Sequence, residues 1–158
     1  MFQVSWFACI LAPISVALGC TALFLIIHFM VIEEKLYEVM LIAAVSLVGY
    51  SLDLLFSYAG FIQLNKDHLI PLYLFCLWIS FAATLSWSSA ILVKHKATSV
   101  ITGLLAPMSY LAAQRLGKIE YSGTILYSVC LHAVIWVVLM LIVHYYVIIL
   151  KKHRINAR

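Results

Sequence analysis

Long apolar runs separated by short polar connectors dominate this chain, and they restrict its backbone to helices. The runs cover about residues 4–32, 36–62, 72–93, 98–116 and 121–150. A backbone in hydrocarbon has no water to bond, so each spanning segment must satisfy its own N–H and C=O groups. With 66% hydrophobic and 10% charged residues, a soluble domain of this length could not hide its apolar surface. At roughly 20 residues per crossing, the chain suits one domain with four to six spans. The expected fold is therefore all-α, a polytopic transmembrane helical bundle of five spans. Residues 1–150 form a single transmembrane domain, and 151–158 form a basic cytoplasmic tail.

The first run is too long for one upright helix, measuring roughly 43 Å against a hydrocarbon core of about 30 Å. Either it tilts or it breaks at Pro13, whose ring and missing N–H disrupt a helix interior. A break leaves a short leading piece of re-entrant type, or separates two thin spans and makes six. The N-terminus lacks a basic stretch, so no cleaved signal peptide is expected. With five spans, Lys35, Lys94, Lys96, Lys151, Lys152, Arg154 and Arg158 share one side, and Lys66, Arg115 and Lys118 the other. The positive-inside tendency then makes the C-terminus cytoplasmic.

The net charge of +4 resides at the ends of apolar runs, which is not a nucleic-acid signature. Cys9, Cys20, Cys76 and Cys130 stand singly inside apolar segments and read as small buried hydrophobes. Without a C-x-x-C, neither a zinc site nor a thiol oxidant is suggested. There is no H-E-x-x-H and no G-x-S-x-G, so no catalytic residue, metal or cofactor is expected.

One carboxylate lies near the middle of an apolar run. Asp53 has Ser46, Gly49, Tyr50, Ser57 and Gly60 at helical spacing, and a carboxylate at membrane depth costs roughly 2.5–3.5 kcal/mol on insertion scales. It should face the protein interior and have a partner or a use. Arg115, at the same end of the fourth run, is a geometric candidate for that partner. Tyr110 and Gln114 share a face with Gly103, Ala106, Pro107, Ala113 and Gly117, a small-residue stripe that lets another backbone come close. The fifth run adds Thr124, Ser128 and His132, and the third Ser80, Thr84, Trp87 and Ser88. These stripes predict a polar-lined pocket formed by Asp53, Tyr50, Tyr110, Gln114, Arg115 and His132; the competing reading is helix-packing glue. His28 and His144, near the cytoplasmic ends of their runs, are formal axial haem ligands, although interfacial histidine is the commoner explanation. Glu38 is expected to snorkel beside Lys35. Trp6, Trp78 and Trp87 suit interface belts or packing.

Several segments resemble a family of small bacterial inner-membrane proteins catalogued as domain of unknown function 2878. They are Phe2-Gln-Val-Ser-Trp-Phe-Ala-Cys9, Gly49-Tyr-Ser-Leu-Asp53 with Gly60, Pro71-Leu-Tyr-Leu-Phe-Cys-Leu-Trp78, Phe81-Ala-Ala-Thr-Leu85, and Ala106-Pro-Met-Ser-Tyr-Leu-Ala-Ala-Gln-Arg-Leu-Gly117. Where the family carries Asn-His after Thr-Leu, this chain has Ser86-Trp87. The resemblance implies a bacterial inner-membrane location but no established activity. Neighbouring genes of cyclopropane-fatty-acid-synthase-like and oxidoreductase type imply a link to lipid modification. The functional expectation is a protein surrounded by membrane lipids that binds or presents a lipid-like ligand, accessory to membrane-lipid modification. The alternatives are a substrate-binding membrane subunit of a small-molecule transporter and a structural partner of another membrane protein.

Overall fold

The computed structural model describes residues 2–64, 71–88 and 95–156. Its helices are α1 (Phe2–Leu11), α2 (Ile14–Val31), α3 (Lys35–Tyr58), α4 (Leu72–Ser88), α5 (Lys96–Leu105), α6 (Pro107–Arg115) and α7 (Ile125–Asn156). Two short strands, β1 (Ile62–Leu64) and β2 (Ile119–Tyr121), pair antiparallel with Ile62 opposite Tyr121 and Leu64 opposite Ile119. The expected all-α class is correct. Helices α2, α3 and α7 are long and apolar enough to cross a membrane. Lys66 and Lys94, with the polar loop after Leu64, lie outside the described residues, as does the Trp87 side chain.

The first apolar run breaks at Ala12–Pro13. Cys9 packs with Ala17 and Cys76. In one continuous helix Cys9 and Ala17 would be about 12 Å apart along the axis, so α1 is folded back along α2. Phe2 meets Phe81 edge-on, which lays α1 on α4 as well. Ten residues of helix reach roughly 15 Å, about half the hydrocarbon core, so α1 has the re-entrant dimensions and not those of a span. The fourth run also divides. Pro107 lacks the N–H that would bond the Gly103 carbonyl, and α5 gives way to α6 at Ala106. The last helix continues through the basic segment to Asn156 instead of stopping near Leu150.

Polarity is arranged inside out. Leu18, Leu23, Ile26 and Met30 of α2, Leu47 and Leu55 of α3, and Val134, Val138 and Ile142 of α7 are exposed, while Thr21, Glu38, Ser46, Asp53, Ser80 and His132 are buried. A surface this apolar around a polar interior suits lipid as the solvent. Two glycines mark close helix crossings. A Cβ on Gly103 would overlap the Val137 backbone of α7, and one on Gly49 would overlap the Trp78 ring of α4. The small-residue stripe of α5 thus does what its composition suggests at Gly103.

Helices α3 and α6 end in the same way. Gly60 and Gly117 adopt positive φ, 80° and 74°, which costs glycine little. Phe61 N–H bonds the Phe56 carbonyl, and Lys118 N–H bonds the Ala113 carbonyl, the paired closure of a Schellman motif. Each glycine turns the chain straight into a strand. The β1–β2 ribbon therefore lies over one end of the bundle, directly above the buried carboxylate.

Candidate functional site

Asp53 is 2% exposed and is approached from three other elements. From α4, Trp78 Nε1–H donates to Oδ2 at 2.6 Å. From α6, the Tyr110 hydroxyl donates across both oxygens, 2.8 Å to Oδ2 and 3.0 Å to Oδ1. From α7, His132 Nε2 lies 3.6 Å from Oδ1. Behind the imidazole, Tyr121 of β2 places its hydroxyl 2.9 Å from Nδ1. Burial, and after it the negative charge of Asp53, pushes the Tyr121 phenol above its ordinary range. The phenol and the imidazole share this hydrogen bond, and its direction follows the tautomer of the ring.

Aromatic rings enclose this centre. Phe56 and Tyr110 lie 4.6 Å and 4.1 Å from the His132 ring, and Trp78 stacks on Trp136 at 4.9 Å. A cavity of about 10 Å³ remains, bounded by Leu52, Asp53, Phe56, Trp78, His132, Ile135, Trp136 and Leu139. That is room for about one water. Along the same α3–α7 seam runs an apolar groove of about 120 Å³, lined by Ala44, Val45, Val48, Leu139, Ile142, Val143 and Tyr146. Its floor is buried at Val45, Leu139 and Val143, and its rim is exposed at Val48 and Ile142. Leu139 borders both spaces. Groove and carboxylate cavity are two sides of one leucine.

Residues 1–142 match the family model described as Protein of unknown function (DUF2878). The chain belongs to that family. No curated protein and no solved structure matches it. Family membership supplies a kinship without an activity, so function has to be argued from the geometry of this member.

The structure brings Asp53, Tyr110 and His132 together and leaves the other candidates elsewhere. Arg115 is exposed at the end of α6 and forms no described ion pair with Asp53; the carboxylate is held by neutral donors and a histidine instead. Tyr50 is half-buried against Phe75, and its hydroxyl has no hydrogen-bond partner among the described residues. Gln114 lines a separate, open groove of about 440 Å³ with Gln63, Lys118 and Glu120 at the ribbon end. Ser128 is buried and donates to the Ser122 carbonyl, whereas Thr124 is exposed.

Sequence reasoning missed Trp78, Trp136 and Tyr121. The signal for Trp78 was present, because Gly49 stands one turn from Asp53 and leaves the gap that an indole fills.

A second buried pair corrects the reading of Glu38. Its side chain does not reach the interface. It is fully buried and lies 2.8 Å from His28 Nε2. Asp53 is fifteen residues further along the same helix, about 22 Å, so α3 carries an acid–histidine contact in each half. Removing one partner of a buried acid–histidine contact is destabilising, at a cost of about 3–5 kcal/mol. His28→Leu is thus expected to destabilise strongly, and Glu38→Leu combined with His28→Leu to lose less than the sum of the two single losses. Thermal melts of the detergent-solubilised single and double variants would check this; additive losses would contradict a pair.

Proposed function

We propose that this is a multi-pass bacterial inner-membrane protein that binds a lipid-like ligand along the α3–α7 seam. Its crossings are α2, α3, α4, α5 with α6, and α7, and its C-terminus is cytoplasmic. The basic residues flanking the apolar runs support that orientation. A tag at the C-terminus should be labelled only after the inner membrane is opened.

The observation that carries the ligand reading is the shared Leu139 wall, with a bilayer-facing apolar groove on one side and a charged cavity on the other. An apolar tail lies in the groove, and movement of Leu139 admits the polar end to Asp53. The cavity has room for about one water, so the described conformation is the resting one and occupancy requires the seam to part. The ligand's role in membrane-lipid modification, as an accessory that holds or presents it, rests on the family resemblance.

Native mass spectrometry of the purified protein tests this reading. The wild type should retain a discrete non-phospholipid mass. Val48→Trp, which fills the groove from its half-exposed rim, should lose it. An identical adduct pattern in both would remove the groove from the account.

A further inference from the structure

We propose that Cys9 and Cys76 are a thiol pair that closes to a disulfide and staples the leading helix α1 to α4. Both are buried, 1% and 3% exposed, and with Ala17 they form a cluster separate from the main core. Helices that meet at small side chains approach closely, as a disulfide requires. The register of α1 on α4 is set independently by Phe2 against Phe81. From Phe2 to Cys9 the chain advances roughly 10 Å along α1, and from Phe81 back to Cys76 roughly 8 Å along α4. One antiparallel line of contact thus carries the ring pair at one end and the thiol pair at the other. The Thr21 hydroxyl of α2 is set against both sulfurs. It is buried and has no oxygen or nitrogen partner among the described residues. Cys20 is only half-buried and Cys130 is exposed on α7, both outside this cluster.

Neither the acid–histidine contacts nor the α3–α7 seam uses these thiols. Closing the pair breaks two S–H bonds and makes one S–S bond, and two electrons and two protons pass to the oxidant. The oxidant class that fits is a second disulfide, cleaved to two thiols by exchange through a mixed disulfide. The cluster is near the starts of α2 and α4, Cys76 being roughly 6 Å from Leu72 along the axis. In the orientation proposed above those starts face the periplasm, where disulfides persist. Ten residues are too few to hold a helix alone, so α1 depends on its packing. A covalent link across so long a stretch of chain stabilises by restricting the unfolded state.

The test uses the full-length protein carrying Cys20→Ala and Cys130→Ala, so that Cys9 and Cys76 are the remaining thiols. The probe is dithiodipyridine, a small apolar disulfide that enters detergent micelles. The first cysteine to attack releases one thiopyridone and becomes a mixed disulfide. Attack on it by the second cysteine releases another and leaves no pyridyl group attached. Intact mass is expected to show a chain lighter by two hydrogens, reversed by a phosphine reductant. The closed form should melt at least about 5 °C above the dithiol. Cys9→Ala or Cys76→Ala, added singly, should abolish the two-hydrogen loss. Two pyridyl groups retained on one chain, or thiols that stay unreacted until the protein is unfolded, would overturn the pair. A closed form no more stable than the dithiol would overturn the staple.

Discussion

Asp53→Leu is expected to lower the stability of the detergent-solubilised protein by about 2–6 kcal/mol, because it strands two buried donors at about 1–3 kcal/mol each. The Trp78 N–H and the Tyr110 O–H both point at the carboxylate from different helices, and neither has another described acceptor. The leucine restores volume and apolar contact but accepts no hydrogen bond. Asp53→Asn keeps one carbonyl oxygen for the two donors and should lose much less, about 1–2 kcal/mol. The order wild type, Asn, Leu in thermal melts is the signature of an acceptor role. If leucine melted with the wild type, the donors would have to be satisfied elsewhere.

Gly49→Ala should be comparably severe for a purely steric reason. The added methyl would sit inside the Trp78 ring, a large fused system packed on α3 and stacked on Trp136. Overpacking of this kind costs about 1–3 kcal/mol. Here the indole cannot move without also losing its bond to Asp53. A total loss of about 3 kcal/mol or more is expected, with a change in tryptophan fluorescence as the stack is disturbed. Gly19→Ala is the internal control. It lies within α2 with open space around its Cβ position, so alanine should be neutral or stabilising by up to about 1 kcal/mol. Equal effects at the two glycines would contradict the packing described for Trp78.

How much of this was legible in the sequence follows from which forces decide each feature. Helices were legible because hydrocarbon leaves the backbone no other option, and the break at Pro13 because a ring without an N–H cannot be accommodated silently. Convergence of Asp53, Tyr110 and His132 was legible because each lies on a polar stripe that lipid would reject. Arg115 misled because a formal charge is a louder signal than an indole N–H or a phenol. A long side chain at a helix end reaches the surface at little cost, and it is exposed here. Glu38 could have been read better. It stands on the same face as Ile42, Val45, Ser46, Gly49 and Asp53, all buried, at steps of three or four. The β1–β2 ribbon was not legible: Ile-Gln-Leu and Ile-Glu-Tyr alternate over only three residues each, too few to mark a strand, and their pairing depends on two glycine turns far apart in the chain. Tyr121 could not be placed over His132 without that ribbon.

The most direct measurement of the central claim, that the α3–α7 seam holds a ligand, is photocrosslinking in cells from a photoreactive side chain at Val48. The same side chain at Leu23 on the exposed face of α2 serves as reference. The two positions have similar exposure, 49% and 58%, and differ in that only Val48 borders the groove. A discrete adduct mass is expected at Val48, absent at Leu23 and lost when Asp53→Asn is introduced. The same bulk phospholipid adducts at both positions, unchanged by Asp53→Asn, would contradict it.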